Sequence, residues 1–152
     1  MRLYLVQHAE AKPKEEDPER HLSERGQSDI RKVASFLSQK GLGVKKIFHS
    51  GKPRALQTAE ALAEALKPEV LDVSDGLAPL DEPSLWADRL NESEEDTMLV
   101  GHLPYMSRLA GILLGRDAER EVVNFQMGGV VCLVKHESGR WALDWMVIPR
   151  IL

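Results

Sequence analysis

The apolar positions of the chain follow two spacings, and each spacing predicts a different kind of element. Four short apolar runs bounded by polar residues, proline or glycine predict β-strands at 3–6, 45–50, 70–73 and 97–102. Four other segments place apolar residues three and four positions apart, which predicts amphipathic helices. These helices should run over about 24–39, from Pro53 to just before Pro68, over 83–90, and from Pro104 to Gly115.

The first two helices have apolar stripes and recognisable ends. Ser23 is placed to cap the first helix, and Gly41 follows its last turn. The predicted stripe of this helix consists of Ile30, Val33, Ala34 and Leu37. In the second helix, the predicted stripe consists of Leu56, Ala59, Ala63 and Leu66. Each stripe is expected to pack on a central sheet.

The last part of the chain predicts a hairpin, because two strand-like runs within 128–148 are joined by a Glu-Ser-Gly turn. Trp141 and Trp145 are four positions apart in the second run, so they are expected to share one face and pack on the core. Strands that alternate with helices predict an α/β fold. We expect a three-layer sandwich with a mostly parallel central sheet, helices on both faces and a C-terminal hairpin, in a single domain over 1–152.

Composition and charge exclude several classes of protein. The 152 residues are 43% hydrophobic and 29% charged, which is typical of a globular domain. A net charge of -4 argues against a nucleic-acid partner, because such binding relies on clustered lysine and arginine. The only cysteine, Cys132, lies in an apolar run and is expected to be a buried thiol. No signal peptide or membrane span is recognisable, so we expect a soluble, cytoplasmic protein without a membrane partner.

Polar side chains follow three of the predicted strands. They are Gln7 and His8 after the first strand, His49 and Ser50 with Arg54 just beyond after the second, and Gly101 and His102 after the fourth. The carboxyl ends of parallel strands open at one edge of a sheet, so these side chains are expected to meet in one site.

Two histidines and an arginine in one cleft suit phosphoryl transfer. A neutral imidazole nitrogen is a competent nucleophile, and a covalent intermediate divides one difficult displacement into two easier ones. A guanidinium group makes paired, charge-assisted hydrogen bonds to phosphate oxygens. A protonated second histidine, and backbone N–H groups at the start of the Pro104 helix, would add positive charge.

The motifs resemble those of the histidine phosphatase superfamily, the phosphoglycerate mutase-like proteins. "LYLVQHAEA" is similar to the family's first motif, "HSGKPRALQTAE" to its Ser-x-x-x-Arg-Ala-x-Gln-Thr-Ala segment, and "MLVGHLP" to its second-histidine motif. The short chain and the segment "RHLSERG" most resemble the SixA-type phosphohistidine phosphatases.

The resemblance implies a role for each matching residue. His8 would be the phosphorylated nucleophile, Arg54 a phosphate ligand, and His102 the second histidine that stabilises the transferring group. Arg20 and Ser50 would help to bind phosphate or substrate. No cofactor and no metal ion are implied.

Two positions depart from the family pattern. Gln7 stands where the family has arginine, and Ala9 stands where it has glycine. Gln7 can still donate a hydrogen bond to the substrate, but it brings no positive charge. By analogy with the loss of one preorganised donor, the expected rate cost is on the order of 100-fold or more.

A general acid is not obvious in the sequence. Asp81 and Glu82 are the nearest candidates, but carboxylates that precede a helix more commonly serve as turn or cap residues. Phosphohistidine has a labile P–N bond and needs less help for its leaving group than a phosphate monoester does. We therefore favour a phosphohistidine phosphatase that acts on a protein through phospho-His8.

Two alternatives remain open at this point. One is a small-molecule phosphomonoesterase of the same superfamily, which would need a working acid. The other is a phosphate- or phosphohistidine-binding module that has lost turnover through the change at Gln7.

Other chemistry is not favoured by the sequence. The chain lacks the closely spaced histidine pairs or cysteine clusters of zinc sites, and it lacks a phosphate-binding P-loop. His49 matches no functional position of the family and is interpreted as structural or as part of the rim. His21 and His136 lie in polar segments and are expected to be solvated.

Overall fold

A six-stranded sheet forms the centre of the molecule in the computed structural model, which describes residues 1–152. Its strands are β1 (Arg2–Gln7), β2 (Lys46–His49), β3 (Val70–Val73), β4 (Thr97–Gly101), β5 (Val130–Lys135) and β6 (Trp141–Val147). Their order across the sheet is β3-β2-β4-β1-β5-β6. The first four strands are parallel, whereas β5 and β6 form an antiparallel hairpin beside β1. The predicted mostly parallel sheet with a terminal hairpin is confirmed.

Four helices cover the two faces of this sheet. They are α1 (Glu24–Gln39), α2 (Pro53–Leu66), α3 (Ser84–Glu92) and α4 (Tyr105–Gly115). The helices α1 and α2 contribute to one apolar core, and α3 and α4 contribute to the other. A short 3₁₀ turn over Pro149–Ile151 follows β6. The predicted three layers are confirmed.

Strand β1 has an unbroken apolar run because it faces both cores. Leu3 and Leu5 point into the core under α3 and α4, whereas Tyr4 and Val6 point into the core under α1 and α2. All four side chains are at most 2% exposed. A central strand covered on both sides requires this composition.

Helix α1 forms where the sequence predicts it. The Ser23 hydroxyl accepts a hydrogen bond from the N–H of Gly26 at 3.0 Å and donates one to a Glu10 carboxylate oxygen at 2.9 Å. The predicted stripe of Ile30, Val33, Ala34 and Leu37 is buried. The cap and the stripe therefore fix the start and the rotation of this helix.

The stripe predicted for α2 was rotated away from the true buried face. The buried side chains are Ala55, Thr58, Ala59, Leu62 and Leu66, whereas Leu56 and Ala63 are only partly buried. Thr58 is buried because its hydroxyl has partners on both sides. It donates to the carbonyl of Arg54 at 2.7 Å and accepts from the N–H of Ala9 at 3.0 Å. A polar residue with satisfied hydrogen bonds thus lies on the packed face.

The prediction that Trp141 and Trp145 share a face was wrong. Trp141 packs in the core under α3 and α4, whereas Trp145 packs against the opposite core, with its ring centroid 6.0 Å from that of Tyr4. A β-bulge is the reason, because Cys132 pairs with Trp145 while the next residue, Leu133, pairs with Leu143. The extra residue, Asp144, reverses the alternation of side chains along β6.

Cys132 is a free, buried thiol, as expected from its apolar surroundings. None of the four helices is long and apolar enough to cross a lipid bilayer.

Candidate active site

The site lies where β1, β4 and β2 end side by side. Gln7 at the end of β1 is paired with Gly101 at the end of β4, and the ladder continues through a hydrogen bond from His8 N–H to the Gly101 carbonyl at 2.9 Å. His8 and His102 each follow their strand by one residue. Their ring centroids consequently lie 5.1 Å apart, with the planes tilted by 53°.

Two glycines next to the site occupy positions that suit no larger residue. A Cβ atom at Gly101 would lie 2.8 Å from the end of the Met106 side chain and 3.3 Å from the Leu77 carbonyl oxygen. Gly128 has a φ of +74°, and its N–H donates to the carbonyl of Gln7 at 3.0 Å. A larger residue would be crowded at Gly101 and strained at Gly128.

The surroundings of His8 fix its tautomer and its charge. The Nδ1 atom lies 2.7 Å from the carbonyl oxygen of Ala9, and a carbonyl only accepts, so Nδ1 carries the proton. Burial, together with the positive charges of Arg54 and Arg20, lowers the pKa of His8 from 6.5 to about 4. The ring is therefore neutral near pH 7, with the lone pair of Nε2 available for attack.

His102 is oriented by a serine. Its Nε2 lies 2.6 Å from the Ser50 hydroxyl, and the residue is only 2% exposed. Burial is the main cause that lowers the pKa of His102 to about 3, and repulsion from Arg54 and from a protonated His8 lowers it further. His102 is thus neutral in the unliganded site, in contrast to the protonated second histidine expected from the sequence. A bound anion would favour protonation.

Arg54 is held at the first turn of α2. The hydroxyl of Thr58 donates to its carbonyl and, through the N–H of Ala9, connects this turn to the segment after His8. Burial lowers the pKa of Arg54, and the neighbouring charge of Arg20 lowers it further. Even so, a guanidinium group remains charged at neutral pH.

Unsatisfied polar atoms concentrate in this site. Four buried side-chain polar atoms of the protein lack a hydrogen-bond partner, and three of them belong to Gln7 (Oε1), Arg54 (Nε) and His102 (Nδ1). The fourth is the Tyr105 hydroxyl. Buried polar groups are normally paired, so three such groups around one pair of histidines mark a place built to receive a polar ligand.

Arg20 lies in a cleft of about 510 Å³ together with Arg54. Its backbone adopts a left-handed conformation with φ of +54°, and its Nε donates to the carbonyl of Lys12 at 3.1 Å. Its positive charge lowers the pKa of His8, Arg54 and His102. The structure therefore places Arg20 within electrostatic reach of the site.

Asp81 and Glu82 are engaged in local turn contacts. An Asp81 carboxylate oxygen accepts from the N–H of Ala78 at 2.9 Å, and Glu82 accepts from the N–H of Ser84 at 3.4 Å. Neither charge is among those that perturb the pKa of His8 or His102. The structure therefore places both carboxylates in contacts of the turn before α3.

The remaining histidines have local partners or face solvent. His49 is buried, and its Nδ1 accepts from the N–H of Gly51 at 3.1 Å. His21 pairs with Asp17 at 2.8 Å in the loop before α1, and His136 is exposed. No group of three histidine, cysteine, aspartate or glutamate side chains is placed to hold a metal ion.

The geometry agrees with the sequence comparison. The profile of the Histidine phosphatase superfamily (branch 1) matches residues 3–81, which is more than half of the chain. The chain belongs to the histidine phosphatase superfamily. A relative from Picosynechococcus sp., an uncharacterised protein, is 33% identical over 141 residues, covering 88% of this chain and 84% of the relative.

Solved structures of several phosphatases have the same fold. The protein histidine phosphatase SixA in complex with tungstate is 22% identical, with a TM-score of 0.86 and 99% of each chain covered. A protein assigned as the phosphohistidine phosphatase SixA of Agrobacterium tumefaciens is 25% identical, with a TM-score of 0.79 and 97% of each chain covered. The mycobacterial glucosyl-3-phosphoglycerate phosphatase in complex with VO3 is 17% identical, with a TM-score of 0.73, covering 95% of this chain and 97% of that one.

Sequence reasoning missed the supporting residues of this histidine phosphatase site. The role of Thr58 depends on a contact with Ala9, 49 positions earlier in the chain. Gly128 reaches the end of β1 from the loop before β5. Only the "Gln-Thr-Ala" part of the quoted motif pointed towards Thr58.

Proposed function

We propose that this protein is a phosphohistidine phosphatase that works through a phosphorylated His8. The observation that carries the proposal is the fixed state of His8, whose Nδ1 donates to Ala9 while its neutral Nε2 remains free beside Arg54 and His102. The unpaired Nε of Arg54 and Nδ1 of His102 are available to the phosphoryl oxygens.

The reaction would proceed in two displacements. The lone pair of His8 Nε2 forms a bond to phosphorus, and the P–N bond of the substrate breaks. A substrate imidazole that is protonated on its other nitrogen leaves as neutral imidazole, so no enzyme acid is required. Water then attacks phospho-His8, releasing inorganic phosphate and restoring the neutral ring.

The surroundings of the histidines favour this substrate over a phosphate monoester. An alkoxide leaving group needs a proton donor, and the two carboxylates considered for that role are hydrogen-bonded to turn N–H groups. The resemblance of the fold to the protein histidine phosphatase SixA supports a phosphohistidine on a protein.

No metal ion takes part in this proposal, because guanidinium groups meet the charge of the phosphoryl group. We therefore expect hydrolysis to continue unchanged in excess EDTA. A rate that falls with EDTA and returns with added Mg²⁺ or Zn²⁺ would contradict this part of the proposal.

The central test is capture of the intermediate. The protein is mixed with a ³²P-labelled phosphohistidine protein, quenched in alkali and analysed for acid-labile phosphate on the enzyme. We expect label on His8 in the natural chain and none in His8→Ala, with turnover reduced by at least about 1000-fold. Turnover that survives in His8→Ala would overturn the proposed nucleophile.

The binding-module alternative is tested by Gln7→Arg. If the natural chain already turns over phosphohistidine at rates of about 1 s⁻¹ or more, within the ordinary range of enzymes, that alternative is excluded. If the natural chain binds phosphohistidine without turnover and Gln7→Arg restores hydrolysis, the alternative is correct.

A further inference from the structure

The site lacks one permanently charged side chain that the first motif of the superfamily provides. Gln7 occupies the position of an arginine, and both histidines are neutral near pH 7 because burial lowers the pKa of each ring. A phosphoryl group carries up to two negative charges in this setting. Of the two arginines at the site, only Arg54 belongs to the shared Ser-x-x-x-Arg motif.

The backbone of Lys52 is connected to His102 through the Ser50 hydroxyl. Its N–H donates to the Ser50 hydroxyl at 3.4 Å, and the same hydroxyl lies 2.6 Å from Nε2 of His102. Lys52 also lines the cleft that contains Arg20 and Arg54. The backbone of Lys52 is thus anchored to the machinery of the site.

The side chain of Lys52 makes no contact that would stabilise the fold. Although the residue precedes α2, its side chain makes no capping hydrogen bond. It is exposed and forms no ion pair with a carboxylate. Its charge nevertheless reaches the site, because it is one of the positive charges that lower the pKa of His102.

We propose that Lys52 contacts the phosphoryl group of the bound substrate and supplies the positive charge that Gln7 lacks. This proposal rests on the proposed phosphatase function. An ammonium group on a flexible stem can approach a phosphate oxygen but cannot make the paired contact of a guanidinium. Lys52 therefore compensates for the missing arginine only in part.

A double-mutant cycle tests this compensation. Lys52→Met should lower kcat/KM for phosphohistidine by about 10-fold, since a charge-assisted hydrogen bond is lost. In the Gln7→Arg background the same change should cost less than about 3-fold, since the arginine takes over the charge. Lys14→Met is the matched control, because Lys14 is an exposed lysine of the same cleft whose charge does not perturb either histidine.

Two outcomes would overturn the role of Lys52. One is a loss in Lys52→Met no larger than that in Lys14→Met. The other is an equal loss from Lys52→Met in the natural chain and in the Gln7→Arg variant, which would mean that the two positions act independently. Because Lys52 is exposed, unfolding of the variant is not expected, and far-UV circular dichroism checks this.

Binding of tungstate separates this proposal from the proposed function. Tungstate is a tetrahedral oxyanion that needs no hydrolysis, so its affinity can be measured by calorimetry in all four proteins of the cycle. If the natural chain does not hydrolyse phosphohistidine, the proposed function fails. A weaker affinity of Lys52→Met that Gln7→Arg restores would still support Lys52, and equal affinities would exclude it.

Discussion

The rings of His8 and His102 lie 5.1 Å apart, and neither ring contacts a carboxylate. A backbone carbonyl orients the first ring, and a serine hydroxyl orients the second. Burial lowers the pKa of each ring, and the hydrogen bond from His8 to the Ala9 carbonyl opposes that effect only in part, so both rings stay neutral near pH 7. The positive charge of the pocket is then carried by side chains that do not titrate near neutral pH. Such a pocket attracts a phosphoryl group while keeping the His8 ring unprotonated.

Ser50→Ala tests how far the serine controls the second histidine. Removing the hydroxyl frees the His102 ring to rotate, so we expect kcat to fall by about 10-fold with little change in KM. Ser50→Thr keeps the hydroxyl and should retain most of the activity. Steady-state kinetics of the two variants provide the comparison, and equal activities in both would exclude the positioning role.

Thr58→Val tests the connection between α2 and the segment after β1. The variant leaves the N–H of Ala9 without its partner, and we expect a loss of about 1–3 kcal/mol in the free energy of unfolding together with reduced turnover. Thr97→Val is the matched control, because this buried threonine also donates to a carbonyl but lies at the opposite end of its strand. It should lose stability without losing kcat. Urea unfolding and kinetics measure both effects.

The stability of the fold should depend on pH below neutrality. The pKa values of His8 and His102 are about 4 and 3 in the folded protein, compared with 6.5 for an ordinary histidine. The unfolded chain therefore binds more protons below pH 6.5, and the free energy of unfolding should fall as the pH is lowered from 6.5 to 4. Above pH 6.5 these groups impose no such penalty.

Urea titrations at pH 7.5, 6.0 and 4.5 measure this dependence. The control is a variant with glutamine at both positions, His8→Gln and His102→Gln, which should have a flatter profile over the same range. Parallel profiles for the natural chain and the variant would contradict the low pKa values.

Asp81→Asn and Glu82→Gln test for a carboxylic acid in the reaction. Both substitutions keep a side-chain oxygen for the N–H groups of Ala78 and Ser84, so the turn should persist. We expect kcat/KM for phosphohistidine to change by less than about 2-fold, since the histidine leaving group needs no such acid. A severe loss with an aryl phosphate as substrate would instead support the phosphomonoesterase.

Much of the fold could be predicted because its local signals agree with the tertiary packing. In α1, the cap at Ser23 and the stripe from Ile30 to Leu37 specify the same helix that packing on the sheet requires. The meeting of His8 and His102 was also predictable, since neighbouring parallel strands end at the same edge.

Other features depend on contacts between remote parts of the chain. The buried face of α2 includes Thr58 because the N–H of Ala9 provides a partner for its hydroxyl. The spacing of apolar residues along the helix gives no indication of that contact. Ser50 was expected to bind substrate, but its hydroxyl lies against His102 in the structure. The neutrality of His102 follows from burial, which only the folded chain defines.

Because of the bulge at Asp144, β6 contributes side chains to the cores on both faces of the sheet. The side chains of the strand change direction at the bulge. Trp141 therefore packs under α3 and α4, and Trp145 packs under α1 and α2. Deletion of Asp144 would restore regular alternation along β6, so one of the two indole rings would lose its core contacts and become exposed to solvent. Loosening of this outermost strand would then disturb the packing of both layers, although His8 and His102 follow other strands.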